Sequence, residues 1–140
     1  MKNEDSSWLF LVLIGAALLA LSGKAVYEYM GRLSIQDLKT LAENIGFGAD
    51  SSVAAAIAMA ESSGDPNAYG DATQGGSYGL WQINAKYHPE FGPDFTALYD
   101  PHANANAAYL VYKQAGYSFQ PWTTYKTGAY TAYLPDAQNA

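Results

Sequence analysis

The stretch Glu61-Ser62-Ser63-Gly64-Asp65-Pro66-Asn67-Ala68, with Gly79-Leu80-Trp81-Gln82-Ile83-Asn84 eighteen residues after Glu61, decides how this chain folds. Residues at helical spacing lead into it. Val53, Ala54, Ile57, Ala58 and Ala60 follow Asp50 and Ser51, either of which can cap a helix. That helix ends near Ser62, because Gly64-Asp65-Pro66-Asn67 is turn chemistry. Residues 67–84 are then dense in Gly, Asn, Asp and Ser, and Tyr78 to Ile83 predict short strands or a tight hairpin.

The same reading extends outward. Ser34 opens an earlier helix, with Asp37 in place of the usual Glu of a capping box. Ile35, Leu38, Leu41, Ala42 and Ile45 carry its apolar face, and Gly46 stops it. Asp100-Pro101 starts a third helix that ends at Gly116, with Ala105, Ala108, Tyr109 and Tyr112 on one side. A last short helix opens at Pro121-Trp122 and breaks at Gly128. The expected fold is mainly α, of the α+β class, with a small irregular β region. The expected domain covers 34–136, with 28–33 as a linker and 137–140 as a tail.

Glu61 stands near the C-terminal end of an Ala-rich helix whose only charged neighbours in sequence are Asp50 and Asp65. The negative end of a helix disfavours a carboxylate, and an apolar surround does the same by desolvation. Both raise the pKa, as a general acid working near neutral pH requires. The plainer alternative is an exposed Glu at a frayed helix end.

Composition narrows the partners. A net charge of −6 and seven scattered Lys and Arg exclude nucleic acid as the main partner. The absence of cysteine removes disulfides, zinc–thiolate sites and thiol nucleophiles. His88 and His102 lie far apart without ligand-like spacing to carboxylates, so neither metal nor cofactor is expected. Twelve tyrosines and three tryptophans suit a surface that covers the apolar faces of sugar rings; they equally suit the half-buried tyrosines of any small domain.

Ser6 to Gly23 contains no charged residue, and its centre reads WLFLVLIGAALLAL. Eighteen helical residues span roughly 27 Å, close to the ~30 Å hydrocarbon core of a bilayer. The expectation is an N-terminal segment, 1–27, whose residues 6–23 form a transmembrane helix facing a lipid membrane. Trp8 on one side and Tyr27 and Tyr29 on the other stand where interface anchors would. A cleaved signal peptide and a helix buried in an assembly are the competing readings. Against the signal peptide, Glu4 and Asp5 beside Lys2 leave no positive leader.

The wording of the central stretch resembles a known family. Residues 61–68 are similar to the E-S-x-G-x-P-x-A signature of the lytic transglycosylase and goose-type lysozyme superfamily. Gly79 to Ile83 resembles its G-L-M-Q-[IL] motif, with Trp for Met. Asp100-Pro101 and Asn104 to Leu110 resemble its D-P-x-x-N helix, and Trp122 to Gly128 occupies the place of its A-Y-N-x-G motif, with Lys126 for Asn. The resemblance covers about residues 50–134 and is nearest to a compact, phage-associated type.

The resemblance implies a lysozyme-like fold and cleavage of the peptidoglycan bond between N-acetylmuramic acid and N-acetylglucosamine. It implies Glu61 as the acid. It also places Ser62, Ser77, Tyr78, Gln82, Tyr125 and Tyr130 along the substrate, with Tyr125 pointing toward Glu61 and with Trp81, Trp122 and Tyr130 as ring platforms or core residues. A lytic transglycosylase needs this one carboxyl, which then acts as base toward the 6-hydroxyl and leaves a 1,6-anhydro sugar. A hydrolytic muramidase needs a second carboxylate. Asp71 in the Gly-rich region is the candidate, and a solvated loop Asp is its plain alternative. The expected protein is a membrane-anchored enzyme of a virion membrane or bacterial envelope, acting on peptidoglycan and accompanied by other virion or envelope-assembly proteins. The other class is a non-catalytic glycan-binding or structural membrane protein of a virion or secretion assembly.

Overall fold

A computed structural model of the chain describes residues 31–140. The expected transmembrane helix at 6–23 lies outside the described residues. Among those described, no helix is long and apolar enough to cross a membrane.

Helix α1 spans Ile35–Ile45. The Ser34 hydroxyl accepts from the Asp37 N–H at 3.1 Å, and the Asp37 carboxylate accepts from the Ser34 N–H at 2.9 Å. The shorter Asp therefore closes the capping box as Glu would. Leu38, Leu41 and Ala42 face the core. Leu33, in the segment expected to be a linker, is buried too. Its N–H donates to the Gly64 carbonyl at 2.8 Å. A Cβ at Gly64 would stand 2.2 Å from the Leu33 carbonyl oxygen, and Gly64 has φ +76°. Only glycine fits there, so this backbone contact is what the glycine after Glu61 serves.

Helix α2, Ser51–Ser62, is the centre of the domain. Ala54, Ala55, Ala56, Ile57 and Ala58 are all fully buried, so the helix is covered on every side. Asp50 precedes it but makes no side-chain cap bond. Its carboxylate instead accepts the hydroxyl of Tyr112. Burial first, and Asp50 second, push the Tyr112 phenol up to about 12.

The strands β1 (Tyr69–Gly70), β2 (Ser77–Tyr78) and β3 (Ile83–Asn84) form an antiparallel sheet in that order. Ser77 pairs with Gly70 and Asn84, and Tyr78 pairs with Tyr69 and Ile83. Helix α3, Pro101–Gln114, starts on Asp100, whose side chain accepts the Ala103 N–H at 2.9 Å. Helix α4, Thr123–Lys126, is one turn long. Helix α5, Leu134–Asn139, packs on α2 with Ala137 fully buried, so residues expected to be a tail join the domain.

Trp81 and Asn104 lock the sheet to the helices. Trp81 is fully buried, stacks near Phe47, and donates its indole N–H to the Ala54 carbonyl at 3.0 Å. The Asn104 Oδ1 accepts the Trp81 backbone N–H at 2.8 Å, and its Nδ2 donates to the Tyr78 and Leu98 carbonyls at 2.7 and 2.9 Å. The arrangement is the mostly helical body with a small sheet that the sequence predicts.

Candidate active site

The last turn of α2 delivers Glu61 to a cleft of about 720 Å³. That volume lies within the usual range for ligand pockets. The β1–β2 loop supplies Asp71 to its wall, β2 supplies Ser77 and β3 supplies Asn84. From the other side come Thr123, Thr124 and Lys126 of α4.

Glu61 is half-buried, and desolvation is the largest effect raising its pKa above the ordinary 4.5. The Thr124 hydroxyl donates to its Oε1 at 2.8 Å, and that bond acts in the opposite direction. The negative charge of Asp71 raises the pKa again, and the Thr124 backbone N–H lowers it. The balance is a carboxyl held in place by one threonine and biased toward its protonated form. Such a group can hand a proton to a leaving oxygen.

The cleft brings together Glu61, Asp71, Ser77, Gln82 and Trp122 of the residues singled out from sequence. Gln82 spends its amide hydrogens on the Ala68 and Gly79 carbonyls, at 3.1 and 3.0 Å. Ser77 is buried and is bonded to Asp71 and Asn84 instead of being open to sugar.

The other four expected substrate contacts do not line the cleft. Ser62 turns back into its own helix, donating to the Ala58 carbonyl at 2.8 Å. Tyr78 packs among Tyr69, Phe95 and Tyr99. Tyr125 stacks on Tyr130 with ring centres 5.1 Å apart, and also meets Phe119. The bond to Glu61 comes from Thr124, one residue earlier. Trp81 is a core residue, and Trp122 lines the cleft while donating its indole N–H to the Trp81 carbonyl at 2.9 Å. Thr124, Asn84, Tyr87 and His88 were given no substrate role from sequence, and all line the cleft. Thr124 lies inside the Trp122–Gly128 segment, but nothing local marks it above its neighbours.

A family model described as a lysozyme-like domain matches residues 39–124, more than half of the chain. The chain belongs to the lysozyme-like domain family. Its lysozyme-like domain is that of a peptidoglycan-cleaving glycosidase in general, and its partner is the peptidoglycan glycan strand. The match includes Glu61, the whole sheet and Thr124, and it stops before Tyr125, Tyr130 and α5. No curated protein and no solved structure matches the chain significantly.

Proposed function

We propose that this lysozyme-like domain cleaves the bond between N-acetylmuramic acid and N-acetylglucosamine as a lytic transglycosylase, with Glu61 as both acid and base. The observation that carries the proposal is a half-buried carboxyl, biased toward protonation, inside a cleft of ligand size. Glu61 protonates the glycosidic oxygen. The resulting carboxylate then takes the proton of the muramoyl 6-hydroxyl as that oxygen closes on the anomeric carbon. The product is a 1,6-anhydro end, and no water is consumed. The uncharged run at 6–23 supports a single-pass membrane anchor, and the motif wording supports local wall opening by a virion or envelope assembly.

A hydrolytic reading is favoured by one observation. Asp71 lines the same cleft, and its charge is felt by Glu61. A second carboxylate in the cleft is what a hydrolase uses to serve a water molecule. Digestion of purified peptidoglycan by the full chain, followed by mass analysis, separates the two. Anhydromuropeptides are expected; reducing ends would overturn the transglycosylase in favour of the hydrolase, and intact strands would remove both.

The Thr124 hydroxyl favours the charged form of Glu61, so its loss raises the Glu61 pKa further. Activity needs the protonated acid, so it falls as pH rises through that pKa. Thr124→Val is therefore expected to move the alkaline limb of the pH–rate profile to higher pH, with a lower maximum. Thr124→Ser, which keeps the hydroxyl, should leave the limb in place. An unmoved limb in the valine variant would show that the bond does not govern the acid.

A further inference from the structure

The sheet side of the cleft holds a run of hydrogen bonds whose direction is forced. The Asn84 Oδ1 accepts the backbone N–H of Lys86 at 3.0 Å and of Tyr87 at 3.4 Å. The other end of that amide is therefore its donor, and Nδ2 donates to the Ser77 Oγ at 3.0 Å. Ser77 is 2% exposed, which leaves its hydroxyl no room to turn to solvent or to sugar. Its single hydrogen goes to the Asp71 Oδ2 at 2.9 Å. The Asp71 main chain is pinned as well. It is left-handed at φ 52°, and its carbonyl accepts from the Gln74 and Gly76 N–H groups at 2.8 and 3.0 Å.

Asp71 is exposed on its loop, yet its carboxylate accepts from a buried serine that an oriented asparagine backs in turn. We propose that Ser77 and Asn84 are positioning residues that hold the Asp71 carboxylate in the cleft, where it stabilises the positive charge that develops on the sugar as Glu61 protonates the bond. The inference rests on the glycosidase reading above and applies to the transglycosylase and the hydrolase alike. Breaking a glycosidic bond passes through an oxocarbenium-like transition state. A charge already in place when that state forms needs no reorganisation at the moment of reaction. Ser77 thus acts through Asp71 and does not touch the substrate. The groups around the acid fit this division. Thr124 faces Glu61 from α4, and Asp71 approaches from the sheet side. His88 and Lys126 line the cleft as well.

The test compares the full-length wild type with Asp71→Asn, Ser77→Ala, Asn84→Ala and the Asp71→Asn/Ser77→Ala double variant, on purified peptidoglycan across pH. Asp71→Asn is expected to lower kcat by about 10²-fold or more. Ser77→Ala is expected to lower it by about 10- to 100-fold through misplacement of the carboxylate, with KM little changed. The double variant should equal Asp71→Asn alone, because the serine acts only through a charge that the asparagine has already removed. In Asp71→Asn and Ser77→Ala the alkaline limb set by Glu61 should also move to lower pH, since the neighbouring charge that raises its pKa is removed or displaced. Asn84→Ala should reproduce the Ser77→Ala pattern in weaker form, and it carries the test if Ser77→Ala fails to fold. The same fold-loss for Ser77→Ala in both backgrounds, or wild-type kcat and limb in Ser77→Ala and Asn84→Ala, would overturn the proposal. Cleavage that is lost in Glu61→Gln but insensitive to these variants leaves the glycosidase reading standing. No cleavage by the wild type removes both.

Discussion

Glu61→Gln is expected to abolish measurable cleavage of peptidoglycan while leaving the domain folded. Removing a general acid lowers turnover by about 10²- to 10⁴-fold, and a residue that is also the base belongs at the upper end. The glutamine keeps an oxygen where the Thr124 hydroxyl donates, so the local geometry is retained. The folded pKa of Glu61 is raised, chiefly by desolvation. Its contribution to stability is therefore fully present below the unfolded pKa and is lost as pH rises through the folded value. The glutamine cannot ionise, so it never places a charge in that half-buried position. The melting temperature of Glu61→Gln at pH 7 should accordingly equal or exceed that of the wild type. Turnover near the wild-type level, measured by released muropeptides, would remove Glu61 from the mechanism. A large fall in melting temperature would instead make it a structural residue.

Asn104→Ala is expected to give the largest loss of stability of any single change near the cleft. The side chain is fully buried and makes three hydrogen bonds, to the Trp81 N–H and to the Tyr78 and Leu98 carbonyls. Truncation leaves those three backbone groups in a dry interior without a partner. Each such group costs about 1–3 kcal/mol, and the sum after relaxation is on the order of 3–5 kcal/mol. For a domain of this size the melting temperature should fall by roughly 15 °C or more. Asn104→Asp should not rescue, because it keeps the acceptor and loses both donors. Gly79 stands against the same residue. A Cβ there would lie 2.4 Å from the Asn104 Nδ2 and 2.4 Å from the Leu98 carbonyl oxygen, at φ +75°. Gly79→Ala should therefore destabilise through the same clamp. A melting temperature for Asn104→Ala within a few degrees of wild type would show that the loop carrying Trp81 and Gln82 is held by packing alone.

Asn104 also shows how a residue can be legible in part. Its place in the D-P-x-x-N pattern is visible in the chain, and so is the helix that carries it. Its task is not visible, because the carbonyl and N–H groups it meets have no sequence signature. The caps divide in the same way. Ser34 and Asp37 bond each other within one turn, so local chemistry settles them. Asp50 stands where a cap is expected, yet it is taken by Tyr112, which arrives from another helix. Leu33 and Ala137, which the sequence reading set outside the domain at 34–136, are buried against it for a related reason. Neither LPDAQN nor the four residues before α1 carries an apolar period, and burial comes from the neighbours they meet.

By itself the sequence determined the order and type of the main helices, the small sheet between them, and the position of Glu61 at a helix end before a turn. Helical period, capping and turn chemistry act within a few residues, so they can be read directly from the chain. The tertiary structure alone decided which side chains share the cleft. Thr124 reaches Glu61 across 63 residues of sequence, and the buried Ser77 faces Asp71, while Tyr125 stacks on Tyr130 outside the cleft lining. Those pairings follow from how the helices and the sheet pack. Desolvation and hydrogen bonding, which set the acid strength of Glu61, exist only after that packing is complete.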